Sequence, residues 1–295
     1  MSALVPFLLS MIPGTLFLSL TDVSAKRLLE EHIPERLLIG VTWGAAGSLF
    51  ALIVWWFGVP EVSPSFLPAA IATSFLNIFG QFAWYRASRD EHVSFTAPLR
   101  LLIPLLVVGT GWLFLNETPT ILGILGILLT VGGLWFLVSS EVAFRTSSLK
   151  TLMRERAVRF ALLGVLSFAL SFPFDKQAVV ASSTLFSGSV VFPIIAVGNL
   201  VLFLLCSEWK QTTLRTLWRK RRLLAWHLCA FTLGSFLALY ALNFALAAYA
   251  SSIKRLQALW SVIFSGAFLG EGNIVRKVMA TLIMLLGIIF TVVFG

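Results

Sequence analysis

The sequence predicts an all-α integral membrane protein whose ten transmembrane helices form two inverted five-helix repeats. Three observations predict it: the composition, the sorting of basic residues among loops, and an internal match between the two halves. The 295 residues are 58% hydrophobic and only 12% charged, with a mean hydropathy of +0.94. Soluble domains carry about 45–50% apolar and about 25% charged residues. A water-soluble globule is therefore excluded, and so is a disordered chain, which needs the opposite composition. Ten Trp and 26 Phe suit a surface that meets lipid and its interfaces.

A membrane-crossing helix needs roughly 20 mostly apolar residues. Cutting the chain at charge clusters and turn residues gives ten spans: 3–24, 36–57, 65–86, 92–115, 119–139, 158–180, 185–206, 224–246, 249–269 and 274–294. The first is kept as a span because residues 1–20 lack the basic start and small-residue cleavage site of a signal peptide. The longest breaks, 140–157 and 207–223, are short basic loops. The organisation expected is a first repeat over 1–140, a basic connecting loop over 141–157 and a second repeat over 158–295.

The net charge of +9 is mostly a matter of orientation. Eighteen of the 22 Lys and Arg residues fall on the odd-numbered loops, with Lys26, Arg27 and Arg36 on the first and the run Arg219–Arg222 on the fourth of these. The termini and the even-numbered loops carry none. The positive-inside rule then places the odd-numbered loops in the cytoplasm and both termini outside, in a cell (inner) membrane. The run at 219–222 reads as a contact with anionic lipid headgroups, not as a nucleic-acid footprint. Cys206 and Cys229 flank this reducing-side loop and read as free, buried thiols. His32, His92 and His227 have no metal-ligand spacing.

Shifting the chain on itself by 154 residues aligns 80–138 with 234–292 without a gap. Gly80 falls on Gly234, Arg100 on Lys254, Phe114 on Phe268, Glu117 on Glu271 and Gly133 on Gly287. A shift of 153 superposes Asp22 on Asp175. Because five is odd, the second half must enter the bilayer in the opposite sense, the architecture of many secondary transporters, with the substrate site between the halves. Two five-helix halves, each closing on a Leu-x-Glu turn and a Gly-bearing hydrophobic helix (Leu113–Val138 and Ala267–Val293), resemble the drug/metabolite transporter superfamily, its EamA-type members in particular. That resemblance implies a transporter of small molecules.

Four basic residues escape the loops: Arg100, Lys176, Lys254 and Arg255. A charge near the bilayer centre costs roughly 2.5–3.5 kcal/mol on insertion scales, so such residues are functional candidates. Arg100 lies about 12 Å into the fourth span, and Lys254 and Arg255 about 8–9 Å into the ninth from the opposite side. Cations offered by both halves to one cavity favour an anion. The stretch Val93-Ser-Phe-Thr-Ala-Pro-Leu-Arg100 resembles the fourth-helix segment of the triose-phosphate/phosphate translocators, and Lys254-Arg255 is similar to that family's ninth-helix pair. The resemblance implies that Arg100, Lys254 and Arg255 clasp a phosphate. The family's Glu-Pro after its first cation is absent, Ile103-Pro104 standing there instead.

Tyr240, Gln81 and Gln257 are the further candidate substrate contacts, with Trp84, Tyr85 and Asn243 as weaker ones. Asp22, Lys26, Asp175 and Lys176 are candidates for a gate or ion pair, Lys176 with its neighbour Asp175. Glu117 and Glu271 read as structural carboxylates in turns before helices, with Thr118-Pro119 and Asn273 as cap signals. Pro98, Pro104, Pro173 and Pro193 interrupt spans and are candidate kinks.

The function expected is that of an exchanger or facilitator moving a small anionic or zwitterionic metabolite, phosphorylated ones included, by alternating access. The chain has no nucleotide-binding loop, and with Asp22 and Asp175 at span margins no membrane-embedded acid is placed for proton coupling. Alternatives are a flippase for a lipid-linked phosphate and an EamA-type exporter of amino acids or other metabolites. No HExxH, GxSxG or paired carboxylates equip an enzyme, and no cofactor or metal is implied. The partners expected are a small-molecule substrate and the bilayer, with the protein a monomer or homodimer.

Overall fold

The structure, a computed structural model, describes residues 3–89, 97–138, 156–205, 212–260, 264 and 274–294, and every regular element among them is helical. In order these are α1 (Leu4–Glu30), α2 (Glu35–Phe57), α3 (Phe66–Arg89), a 3-10 turn (Ala97–Leu101), α4 (Leu102–Leu115), α5 (Ile121–Val138), α6 (Arg156–Val180), α7 (Thr184–Leu205), α8 (Thr212–Arg219), α9 (Arg221–Ala241), α10 (Ala247–Ile253) and α11 (Ile274–Val293). Six of them, α1, α2, α3, α6, α7 and α9, are long and apolar enough to cross a membrane. Shorter apolar helices occupy Leu99–Leu115, Ile121–Phe136 and Met279–Thr291.

Lipid offers no hydrogen-bond partner, so buried hydroxyls must bond within the protein, most directly to a carbonyl of their own helix. In α1, Ser10, Thr15, Ser19, Thr21 and Ser24 each donate to a carbonyl three or four residues back, which lets a serine-rich face sit in the interior. Helix ends use left-handed residues. Gly58, at φ 98°, donates its N–H to Val54 O and stops α2. Asn116, at φ 55°, stops α4 and turns Glu117 inward.

The helices pair across the two halves: α1 with α9, α6 with α3, α2 with α7, and α5 with α11. Exchanging the halves maps the first two pairs onto one another and the last two onto themselves. Small residues permit the approach, since lipid removes the hydrophobic drive and leaves van der Waals contact to hold helices together. A Cβ on Gly234 would stand 2.9 Å from the Leu18 backbone N, and one on Gly14 would stand 3.1 Å from the Ala238 N. Gly80 meets Ser167 and Gly164 meets Trp84 at the equivalent crossing. In both, later residues of one helix face earlier residues of the other, so the paired helices are antiparallel. Trp55, Trp56 and Phe57 stand exposed at one end of α2, as an aromatic belt does.

Several sequence expectations change. The first span reaches Glu30 instead of ending at 24, because Asp22, Lys26 and Arg27 are accommodated within the helix. The described part of the predicted span 92–115 opens as the 3-10 turn, which holds Pro98, and runs directly into α4, which holds Pro104; both prolines lack backbone donors. The predicted span 249–269 starts at Ala247 and unwinds at Lys254 and Arg255 before residues 256–260 resume the helix. Pro173 and Pro193 lie inside unbroken helices. Cys229 is a free thiol but exposed on α9, not buried, because its face of the helix looks outward beside Trp226. Cys206, His92, Glu271, Asn273 and nearly all of the 141–157 loop lie outside the described residues.

Candidate functional site

A cavity of about 150 Å³ lies between two apolar cores, walled by α1, α2, α3, α6, α7, α9, the 3-10 turn with the start of α4, and the break after α10. A single water needs roughly 10–15 Å³ on this measure, so the space suits a small metabolite. Arg100, Lys254, Arg255, Asp22, Asp175, Gln81, Gln257 and Tyr85 all line it.

The 3-10 turn and the α10 break both present cations. Arg100 projects from the 3-10 turn, its guanidinium 3.7 Å from the Trp84 ring centroid and its Nη1 3.3 Å from Asp22 Oδ2. Stacking and ion pairing together fix a planar guanidinium better than either alone. Asp22 also accepts from Gln257 Nε2 at 2.5 Å, and the same amide donates to Leu18 O at 3.3 Å. At the α10 break the N–H groups of Arg255, Gln257 and Ala258 each donate three residues back, to Ser252, Lys254 and Arg255, the tight pattern of a 3-10 turn. Arg255 is only 8% exposed; its Nε donates to Ser251 O and its Nη1 to Arg100 O at 3.4 Å. Lys254 Nζ sits 5.7 Å above the Phe172 ring.

Asp175 accepts a hydrogen bond from the Thr73 hydroxyl, and Asn77 Nδ2 donates to that same hydroxyl oxygen at 3.0 Å. The predicted partnership of Asp175 with Lys176 does not form. Adjacent helix residues point about 100° apart, so Lys176 turns away, pairs with Glu117 and donates to Ala245 O. Glu117 in turn accepts the N–H of Ala247, the first residue of α10, at 2.7 Å. The helix whose N-terminus it caps is therefore in the other repeat, not its own α5. The α5 cap is Thr120, whose hydroxyl accepts the Gly123 N–H, two residues beyond the Thr118 predicted.

Lys26 is exposed on α1, away from the cavity-lining residues. Tyr240 is not among those residues either: it is 40% exposed and packs between Phe236 and Phe244. Asn243 donates to Thr184 Oγ1 and Tyr240 O at the end of α9.

Sequence reasoning named Gln81 and Tyr85, but neither the α3 stripe they belong to nor the aromatic wall that faces it. On α3, Thr73, Asn77, Gln81 and Tyr85 recur every fourth residue, a polar stripe along one helical face, and the last three line the cavity. Adding 154 gives His227, Phe231, Ser235 and Leu239 on α9, and again the last three line it. The four-residue recurrence was the available signal. The second wall joins Trp43 and Phe192, with ring centroids 4.6 Å and 5.0 Å from Trp43 to Phe192 and Phe231 respectively.

The model of the EamA-like transporter family matches twice, over residues 6–139 and 156–293. No curated protein matches the chain in sequence. A solved crystal structure covers 99% of this chain and 98% of its own at a TM-score of 0.73 and 12% identity, a likeness of fold. With each half of the chain matched by the same model and a fold shared along its length, the protein is a two-repeat, multi-pass membrane protein belonging to the EamA-like transporter family, within the drug/metabolite transporter superfamily.

Proposed function

We propose that the protein is a secondary transporter that moves a small anionic or zwitterionic metabolite, phosphorylated ones included, by alternating access of two inverted five-span repeats. The observation that carries this reading is the meeting of repeat-equivalent cations, Arg100 in a 3-10 turn and Lys254 at a helix break, around one cavity. Irregular backbone at membrane depth is tolerated where it lines a cavity, and broken helices mark solute sites in transporters. Arg255 and Lys254 hold the anionic group, Arg100 completes the clasp, and Gln81 and Gln257 supply amide contacts. Antiparallel pairing of α1 with α9 and α3 with α6 supports the inverted arrangement and ten alternating spans, and the basic odd-numbered loops support termini outside the cytoplasm of a cell membrane.

The aromatic wall of Trp43, Phe192 and Phe231 facing the polar α3 stripe favours, as a second reading, an exporter of amino acids or similar solutes with an apolar part. Uptake into proteoliposomes of a radiolabelled panel of phosphorylated, carboxylated and amino-acid solutes tests both. At least one solute class should be carried, and Arg100→Gln and the double change Lys254→Gln/Arg255→Gln should each lower its uptake while the protein stays folded. A folded protein that carries none of them would end the proposal.

A further inference from the structure

Asp22 and Asp175 occupy equivalent places in the two repeats and differ in what faces them. Asp22 has the Arg100 guanidinium at 3.3 Å. Among the described residues Asp175 has no cation within 4 Å: Lys176 is turned to Glu117, and Lys254 rests on Phe172. Its partner is the fully buried hydroxyl of Thr73, held in turn by Asn77. A hydroxyl donates to a carboxylate and equally accepts from a carboxylic acid, so this partner suits both protonation states, whereas a guanidinium suits only the charged one.

The other ionisable groups lining the cavity that Asp175 faces are Tyr85 on α3, Arg100 on the 3-10 turn, Lys254 and Arg255 at the α10 break, and Asp22 on α1. The described residues of α4 and α7 contribute none. His227 on α9 is occupied between Ser24 and Thr42.

We propose that Asp175 is the proton-binding site that couples transport in this protein. It rests on the transport reading above and names the proton, instead of a second metabolite molecule, as the coupled species. A proton from the aqueous phase that the cavity faces adds to a carboxylate oxygen of Asp175 and leaves to water on the opposite side; no bond of the solute changes. Ionised Asp175 competes with an anionic solute for Lys254 and Arg255. Protonation removes the competitor, so each ligand raises the affinity of the other, and proton and anion travel in the same direction. The sequence placed both aspartates at span margins; α1 continues eight residues past Asp22, which brings it, like Asp175, to the cavity wall.

Infrared difference spectra of the reconstituted protein on acidification, with protons as the only added ligand, test the site without knowledge of the solute. A carboxyl band should titrate in the wild type and in Asp22→Asn and be missing in Asp175→Asn; its persistence in Asp175→Asn overturns the proposal. The solute panel, run with and without an acidic exterior, tests the coupling. Carried anions should accumulate beyond equilibrium only with the gradient, Asp175→Asn should equilibrate them without accumulation, and Asp175→Glu should restore it. Solutes carried indifferently to the gradient overturn the coupling and leave the transport reading standing. If no solute is carried, the transport reading falls and the coupling with it. Should Asp175→Asn fail to fold, Thr73→Val, which removes the hydroxyl, should shift the titration of the band; an unmoved band counts against the site.

Discussion

The two walls of the cavity come from equivalent positions and have opposite character. Asn77, Gln81 and Tyr85 on α3 become Phe231, Ser235 and Leu239 on α9 when 154 is added. Charge follows the same pattern of likeness with a difference: Asp22 is bound to Arg100, while Asp175 and Lys254 face the cavity without an ion pair between them. The repeat therefore supplies a symmetric frame, in which antiparallel helices meet at glycines, and side chains then divide the labour between the halves. One half contributes a locked ion pair and a polar stripe. The other contributes a cation that a solute can reach and an apolar face to set against the solute's uncharged part.

The largest expected effect tests the largely buried ion pair between Lys176 and Glu117, which joins the repeats. Lys176→Met leaves Glu117 with only the Ala247 N–H, and breaking a buried pair in this way costs about 3–5 kcal/mol. Thermal unfolding in detergent should fall steeply, whereas Val23→Met, at the equivalent place in the first half, should change little. Next comes the clasp. Losing a charged hydrogen-bond partner costs about 1.5–3 kcal/mol, roughly 10- to 100-fold in affinity. Lys254→Gln should lower uptake by that range, and a larger loss from Arg100→Gln would reverse the assignment of the solute-facing cation.

The crossings come third. Gly234→Ala puts a Cβ 2.9 Å from a backbone nitrogen, whereas Gly109→Ala meets nothing within 4 Å. The first should destabilise by about 1–3 kcal/mol and the second should not; equal melting temperatures would remove the packing explanation. The smallest effect lies at the end of α1, where Glu31 accepts hydrogen bonds from Lys220 and Arg219. The Lys220 hydrogen bond, with the neighbouring charges, holds the carboxyl below its ordinary value of 4.5. A lowered value in the folded protein means stabilisation that is full above the unfolded value and lost as pH falls through the folded one. Glu31→Gln should therefore match wild type in acid and fall slightly below it at neutral pH. A difference that grows on acidification would contradict this.

Much of the frame was legible in the chain. Apolar runs require helices in lipid, alternating basic loops require alternating directions, and the 154-residue match puts Arg100 and Lys254 at equivalent places in the two repeats. The irregular backbone was half legible: Pro98 lies within the 3-10 turn, but nothing in Ala247–Ala258 lacks a backbone donor, so hydropathy alone runs a straight helix through Lys254. Partners across the fold were not legible at all. Asp175 has Lys176 beside it in sequence and Thr73 beside it in space, because a step of one residue on a helix rotates a side chain by about 100°. Tyr240 failed as a cavity residue for the same rotational reason, four residues from Phe236 on the outward face of α9.

By itself the sequence determined a membrane-embedded, two-repeat helical chain with a few cations too costly to be there by accident, since transfer into lipid is a property of composition and spacing. Which of those cations is bound to a carboxylate, which faces open space and which aspartate keeps a neutral partner was decided only in three dimensions. Ion pairs and hydrogen bonds depend on distances of a few ångströms between helices 59 to 239 residues apart in the chain, and no local pattern fixes those distances.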